Sequence, residues 1–300
     1  MSGTGSAPPG WDAHANGAGY LLHQMSWDLE RAYGEHLTSG DLAVLADLSG
    51  GRPLPDVLAS PAIEEVVFGH AQAFDPLRTV SPFLTFAVAV HRTAERLAGA
   101  SYVEEWIGPR RRVPVFAVEP LRQQLADPLR RFYFVELLSS YTHVVSGTTW
   151  TATRRGWQRR RFSELDAVQM ADLLDAVPVA EMPGVLRRLG DLALFLTGVF
   201  PDHTATTPLG RPSAEARLLR SAGVDPLRVP AGSVDPFQLL ERLGARWYSL
   251  AVQRSAPPSA SVQVLESIAA HFTDARRILN VVTDVYLFPL REQWFGRPAA

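Results

Sequence analysis

Two long apolar segments with the same start and stop signals set the fold class of this chain. The segment "SPFLTFAVAVHRTAERLAG" begins with Ser81 and Pro82 and ends at Gly99. The segment "DPLRRFYFVELLSSYTHVVSG" runs from Asp127 to Gly147 and repeats the pattern. Serine and aspartate cap helix N-termini, proline in the first helical position loses no hydrogen bond, and glycine readily ends a helix. Both segments are therefore predicted to be helices.

Helical periodicity recurs along most of the remaining chain. Further helices are predicted over Tyr20–Leu37, over Asp166–Val177, from Asp235 onward, and in the final segment, which we expect to break near Thr273 with that threonine as the new cap. Short helices are predicted between Asp41 and Gly69, where apolar pieces alternate with Gly and Pro. The predicted fold class is mainly α, a multi-helix bundle.

The segment "TTWTATRRGWQRRRF" has the strongest strand signal in the sequence. Its two halves alternate in character, and Gly156 can adopt the positive φ that a tight turn requires. We predict a β-hairpin at about residues 148–162, strapped across the bundle because a two-stranded ribbon is marginal alone.

The hairpin is strongly basic, and this predicts a surface for a partner or an anion. The residues of that surface are Arg154, Arg155, Arg159, Arg160, Arg161 and Trp157. Two alternatives stay open. The arginines could hold phosphates while tryptophan stacks on bases, or they could pair with carboxylates of neighbouring helices, Glu136 among them.

Charge and composition restrict the classes of partner. The net charge is −2 with a pI near 6.5, which argues against nucleic-acid binding, since no global field attracts a polyanion. The chain has no cysteine, so disulfides and cysteine-ligated metals are excluded. Its apolar runs are too short to cross a bilayer, and we expect a cytoplasmic protein with no membrane contact.

The domain organisation is predicted from composition. Residues 1–18, rich in Gly, Ala, Ser and Pro, are expected to form a flexible N-terminal arm. Residues 19–295 are expected to form a single helical domain, with a soft boundary near 204–236, where turn-forming residues are most frequent.

Ionisable residues inside apolar helices are the candidates for a functional site. In "FYFVELLSSYTHVV", Glu136, Ser139, Ser140 and His143 fall on one helical stripe. A carboxylate buried there needs a partner, because an unpaired buried charge is costly. Glu136, His143 and Asp191 are therefore the candidates for catalysis.

A metal is the second hypothesis for these groups. If the helices converge, a metal could be held by His91, Glu95, Glu136, His143, Asp191 and His203. Structural explanations compete: Arg187 and Arg188 precede Asp191 by one helical turn, and His91 fits a core histidine. No dimetal, phosphate-loop, dinucleotide or α/β-hydrolase motif is present, so the sequence assigns no cofactor.

The run "LGDLALFLTGVFPD", Leu189 to Asp202, resembles a bacterial family of helical proteins with a similar Leu-Gly-Asp, Ala-Leu-Phe and Gly-x-Phe-Pro run. The resemblance covers about the second half of the chain. It implies a helical fold and brings no assigned activity. High Ala, Arg and Pro usage with no lysine is typical of actinobacterial coding.

The sequence favours a helical binding or accessory protein that contacts a second copy of itself, a partner protein or a small-molecule ligand. The first alternative is a metal-dependent helical oxygenase or hydrolase that uses His, Glu and Asp. The second is a nucleic-acid binder that uses the basic hairpin.

Overall fold

The computed structural model describes residues 29–69, 80–142, 146–153, 156–206, 212–228, 235–255 and 259–288. The α-helices are 29–34 (α1), Ser39–Ser49 (α2), Leu54–Leu58 (α3), Pro61–Phe68 (α4), Pro82–Gly99 (α5), Glu119–Ala126 (α6), Pro128–Ser140 (α7), Ala167–Leu173 (α8), Met182–Val199 (α9), Pro201–Thr206 (α10), Pro212–Ser221 (α11), Pro236–Arg254 (α12), Ala260–Ala270 (α13) and Phe272–Val282 (α14). The strands are Val103–Gly108 (β1), Arg111–Val115 (β2), Ser146–Thr153 (β3) and Gly156–Ser163 (β4). The predicted mainly α fold is confirmed.

Helix α9 lies at the centre of the fold. From Leu186 to Val199 nearly every residue is buried, which is the property of a helix surrounded by other helices. The most extensive neighbour is α12, and α14, α8 and α10 also pack against α9. Helix α5 packs against α7, and α13 lies beside α12. The apolar core is formed mainly by these helices.

Glycines allow the central helices to approach closely. A Cβ atom at Gly190 of α9 would lie 2.4 Å from ring atoms of Tyr248 on α12. At Gly244 of α12, a Cβ atom would lie 2.4 Å from the ring of Phe272. At Gly198 it would lie 2.6 Å from Leu279 on α14. These contacts explain two glycines of the Leu189–Asp202 run by packing.

The structure contains the predicted hairpin and a second one. Strands β3 and β4 pair antiparallel, with Thr148 opposite Arg161 and Ala152 opposite Trp157, so the hairpin predicted at 148–162 is confirmed. Strands β1 and β2 form another antiparallel pair, which the sequence analysis did not predict. Its segment "VEEWIGPRRRVPV" mixes charges with two prolines and therefore lacks a clear period-two pattern.

The caps predicted at Ser81 and Asp127 are confirmed, since each side chain accepts a backbone N–H of the helix that follows. Asp166 and Asp235, where two further helices were predicted to begin, cap those helices in the same way. The final segment breaks as expected, but at His271, and Thr273 is not the cap. Position 273 lies one residue inside α14, where its side chain cannot cap the first turn.

The predicted end of the helix after Asp127 was wrong. Helix α7 ends at Ser140, and Gly147 belongs to β3. Tyr141 leaves the helical region with φ −98° and ψ 1°, and its backbone N–H turns back to the carbonyl groups of Leu138 and Ser139. A tight final turn therefore ends the helix well before the glycine.

The turn-rich segment near 204–236 contains α11, which packs against α8 and α12, and a 3₁₀ turn at Pro226–Arg228. The expected N-terminal arm, 1–18, and the first part of the helix predicted over Tyr20–Leu37 lie outside the described residues. Within the described part of the chain, no helix combines the length and apolarity needed to span a bilayer.

The close approach at Gly190 predicts a position-specific effect of one methyl group. Gly190→Ala should lower the free energy of unfolding by about 1–3 kcal/mol, because the new Cβ must displace the ring of Tyr248 in a packed core. Gly184→Ala on the same helix is the matched control, since its Cβ meets no atom within 4 Å. Urea denaturation should show the control unchanged or up to about 1 kcal/mol more stable. Equal losses in both variants would contradict the packing explanation.

Candidate functional site

Asp191 lies buried in the middle of α9 and accepts hydrogen bonds from two neighbouring helices. The hydroxyl of Tyr133 on α7 donates to Asp191 Oδ1 over 3.1 Å, and the hydroxyl of Tyr248 on α12 donates to the same oxygen over 2.8 Å. The two tyrosine hydroxyls also contact each other. One carboxyl oxygen thus joins three helices.

Burial dominates the electrostatics of this cluster. It raises the pKa of Asp191 above its ordinary value, although Arg187, the tyrosine hydroxyls and Arg188 act in the opposite direction. Burial and the Asp191 charge hold the pKa values of Tyr133 and Tyr248 well above the ordinary range, so both hydroxyls keep their protons. Each hydroxyl can therefore donate its proton to Asp191.

The two arginines that precede Asp191 play different parts. Arg187 Nε lies 3.9 Å from Asp191 Oδ2, which is an ion pair without a hydrogen bond. Arg188 turns away: it donates to Ser140 Oγ over 2.7 Å and to Glu164 Oε2 over 3.1 Å. The predicted pairing of Asp191 with arginines of its own helix therefore holds only for Arg187, at long range.

Two cavities meet beside this cluster. The polar cavity, about 460 Å³, lies between α7 and α9 and is lined by side chains that include His36, Ser140 and Asp191. The apolar cavity, about 440 Å³, is walled by residues of α1, α7 and α13. Both are lined by Tyr133, Glu136 and Arg187. We call the two cavities together the α7–α9 cleft.

Glu136 faces the junction of the two cavities. Its side chain is 39% exposed, and the ring nitrogen Nε2 of His36 lies 4.0 Å from Glu136 Oε1. The ring of His36 is stacked on Phe83, with the ring centroids 4.7 Å apart. Ser139 and Ser140 also line the polar cavity, so that part of the predicted stripe faces one space. His143 lies outside the described residues.

The other predicted ligands do not gather with these groups. His91 is buried in α5, and its Nε2 lies 3.0 Å from the hydroxyl of Tyr33. Burial lowers the pKa of His91 to about 3, and the charge of Arg131 acts in the same direction. Glu95 is exposed on α5, and His203 is half-buried on α10. Over the described ranges, no group of three or more His, Asp or Glu side chains is placed to hold a metal ion.

The predicted basic surface lies largely outside what the structure describes. Arg154 and Arg155 fall in the gap between β3 and β4, and for Trp157, Arg159, Arg160 and Arg161 only the backbone of β4 is described. Strand β4 runs beside α8. The pairing of these arginines with acids, and their contact with a partner or an anion, stay predictions.

A larger cavity of about 1060 Å³ lies beside β1, α12 and α14. Its floor is an ion network in which buried Arg276 donates to Glu105 over 2.7 Å and to Glu241 over 3.0 Å. Burial alone would raise the pKa of Glu105, but hydrogen bonds from Arg277 and Arg276 outweigh it and lower that pKa. The opposite charges of this network pair with one another, and the network therefore links β1 to α14.

Tyr133 and Tyr248 could not be recognised in the sequence as partners of Asp191. Tyr133 stands one helical turn before Glu136 and resembles the aromatic core residues around it. Tyr248 sits in "RWYSL" of α12, 57 residues from Asp191. A general rule could have pointed to this pairing: a buried carboxyl group requires hydrogen-bond donors, and a buried tyrosine hydroxyl requires an acceptor.

Comparison of the chain with protein-family models, curated proteins and solved structures finds no match. The resemblance carried by the Leu189–Asp202 run therefore stays a prediction.

The two hydroxyls at Asp191 predict a contrast between buried tyrosines. Tyr248→Phe should lower the free energy of unfolding by about 1–3 kcal/mol, because it removes a donor to a buried carboxyl group. Tyr141→Phe is the matched control: its hydroxyl is also buried but has no hydrogen-bond partner in the described structure. Chemical denaturation should leave the control unchanged or more stable. An equal loss of unfolding free energy in both variants would contradict the hydrogen-bond explanation.

Proposed function

We propose that the chain is a binding protein whose α7–α9 cleft holds a small organic ligand. Two adjoining cavities of about 460 and 440 Å³ each fall in the size range of small-molecule sites. One offers polar groups and the other offers apolar walls. Such a combination suits a ligand with a polar head and an apolar body.

The proposal depends on the position, exposure and hydrogen bonding of two charged side chains, Glu136 and Arg187. Both side chains line both cavities, and both are partly exposed, at 39% and 45%. Neither makes a hydrogen bond to another described residue; Glu136 Oε1 lies 4.0 Å from His36 Nε2, and Arg187 Nε lies 3.9 Å from Asp191 Oδ2. Two side chains of opposite charge that line both cavities without such hydrogen bonds support ligand binding over a purely structural role.

This proposal is the small-molecule form of the binding role that the sequence favours. The alternative roles have less support from the described residues. No cluster of metal ligands occurs among them, and the hairpin side chains that a nucleic acid would contact are not described. The cleft is therefore the first place to test.

Filling the cleft should weaken ligand binding without unfolding the protein. Ala32 is half-buried at the wall of the apolar cavity, and a Cβ at Gly184 beside the polar cavity would meet no atom within 4 Å. We expect Ala32→Phe or Gly184→Leu to weaken ligands at least about tenfold by occupying their space. Ligand-observed NMR and thermal-shift measurements with a small-molecule library give the readout.

The matched control is Ala98→Phe, at an exposed position of α5 that lines neither cavity. It should bind every ligand as the unmodified chain does. If ligands bind the filled variants and the control equally well, the α7–α9 cleft is not their site. If no library member binds the unmodified chain, the proposed function is wrong.

A further inference from the structure

We propose, building on the proposed function, that the ligand of the cleft is a free α-amino acid with a large apolar side chain. Arg187 would hold its carboxylate, Glu136 would hold its ammonium group, and the apolar cavity would hold its side chain. The proposed ligand is thus a zwitterion, a molecule that carries two opposite charges a short distance apart.

The placement of Arg187 and Glu136 supports a zwitterion. Both side chains line both cavities, so the two groups face one space. They nevertheless form no ion pair within 4.0 Å. Two opposite charges that share a cavity without touching leave room for a group that binds both.

Asp191 does not compete for Arg187 at hydrogen-bond distance. Its Oδ1 accepts from Tyr133 and Tyr248, and its Oδ2 stays 3.9 Å from Arg187 Nε. A guanidinium group presents a planar fork of N–H donors that matches a carboxylate. Arg188 is already engaged by Glu164 and Ser140, so of the two arginines that line the polar cavity, Arg187 is the one without a hydrogen bond to a described residue.

The ammonium side of the site is set by Glu136. His36 Nε2 lies 4.0 Å from Glu136 Oε1, beyond hydrogen-bond distance, and the His36 ring is stacked on Phe83. An ammonium group has three donors and no acceptor, so a carboxylate is its natural partner. A ligand amine between Glu136 and the cavity would form the hydrogen bond that His36 does not make.

The apolar cavity selects the side chain. Its walls include Leu129, Phe132, Val264 and Leu265, and its volume of about 440 Å³ accommodates a leucine or phenylalanine side chain. A large apolar side chain would bury its surface against these four residues, while Glu136 and Arg187, which also line the cavity, would hold the charges of the ligand. Phenylalanine is therefore the probe that fits both parts of the site.

Three related compounds test the assignment by isothermal titration calorimetry on the full chain. L-phenylalanine carries both charges, N-acetyl-L-phenylalanine lacks the ammonium group, and L-phenylalaninamide lacks the carboxylate. Loss of one charge-assisted hydrogen bond should weaken binding about ten- to a hundredfold. We expect both blocked compounds to bind more weakly than L-phenylalanine by such a factor.

Variants assign each charge to its residue. In Glu136→Gln the preference for L-phenylalanine over its N-acetyl form should disappear, while the preference for the acid over the amide persists. In Arg187→Gln the pattern should reverse. Glu266→Gln and Arg220→Gln, at exposed positions outside the cleft, are matched controls and should keep both preferences. Should Arg187→Gln fail to fold, Arg187→Lys keeps the charge and should keep the acid preference.

The possible outcomes separate the two proposals. If the blocked compounds bind in the cleft as tightly as L-phenylalanine, the amino-acid assignment is wrong and the small-ligand function stands. If only the N-acetyl compound binds as tightly as L-phenylalanine, Glu136 does not hold the ammonium group. That result would also overturn the amino-acid assignment. If neither these compounds nor any library member binds, both proposals fail.

Discussion

The hydrogen bonds to the buried carboxyl group of Asp191 are the interaction on which the rest of the site depends. Helix α9 is surrounded by other elements, so a polar group at its centre must find its donors inside the protein. Tyr133 of α7 and Tyr248 of α12 supply them, which fixes the rotation of three helices relative to one another. Gly190 lets the ring of Tyr248 come close enough to α9 for its hydroxyl to reach Asp191.

This arrangement has a consequence for the neighbouring charges. Because two hydroxyls already occupy Asp191 Oδ1, Asp191 pairs with Arg187 through Oδ2 at 3.9 Å and accepts no hydrogen bond from it. Arg187 stays partly exposed and shares the junction of two cavities with Glu136. The tyrosine hydroxyls satisfy the buried carboxyl group of Asp191, and Arg187 and Glu136 face the same space. The proposed ligand site is built from that pair.

Local features of the fold could be predicted from the sequence, and long-range ones could not. The caps at Ser81, Asp127 and Asp235 depend on residues two or three positions apart, so they are readable in the sequence. Asp191 and Glu136 could be singled out because charges inside apolar helices are unusual. Their surroundings could not be predicted, because Tyr133 and Tyr248 are 115 residues apart and meet only through helix packing.

The claim that Asp191 is held by the tyrosines, with Arg187 left for the cavity, is tested most directly by the pKa of its own carboxyl group. A ¹³C NMR titration of the full chain, with the side-chain signal assigned through Asp191→Asn, measures that pKa at the site. The account predicts a value above the ordinary 3.8, because burial outweighs the favourable charges. A value below 3.8 would show that a close ion pair with Arg187 governs Asp191, and would contradict the account.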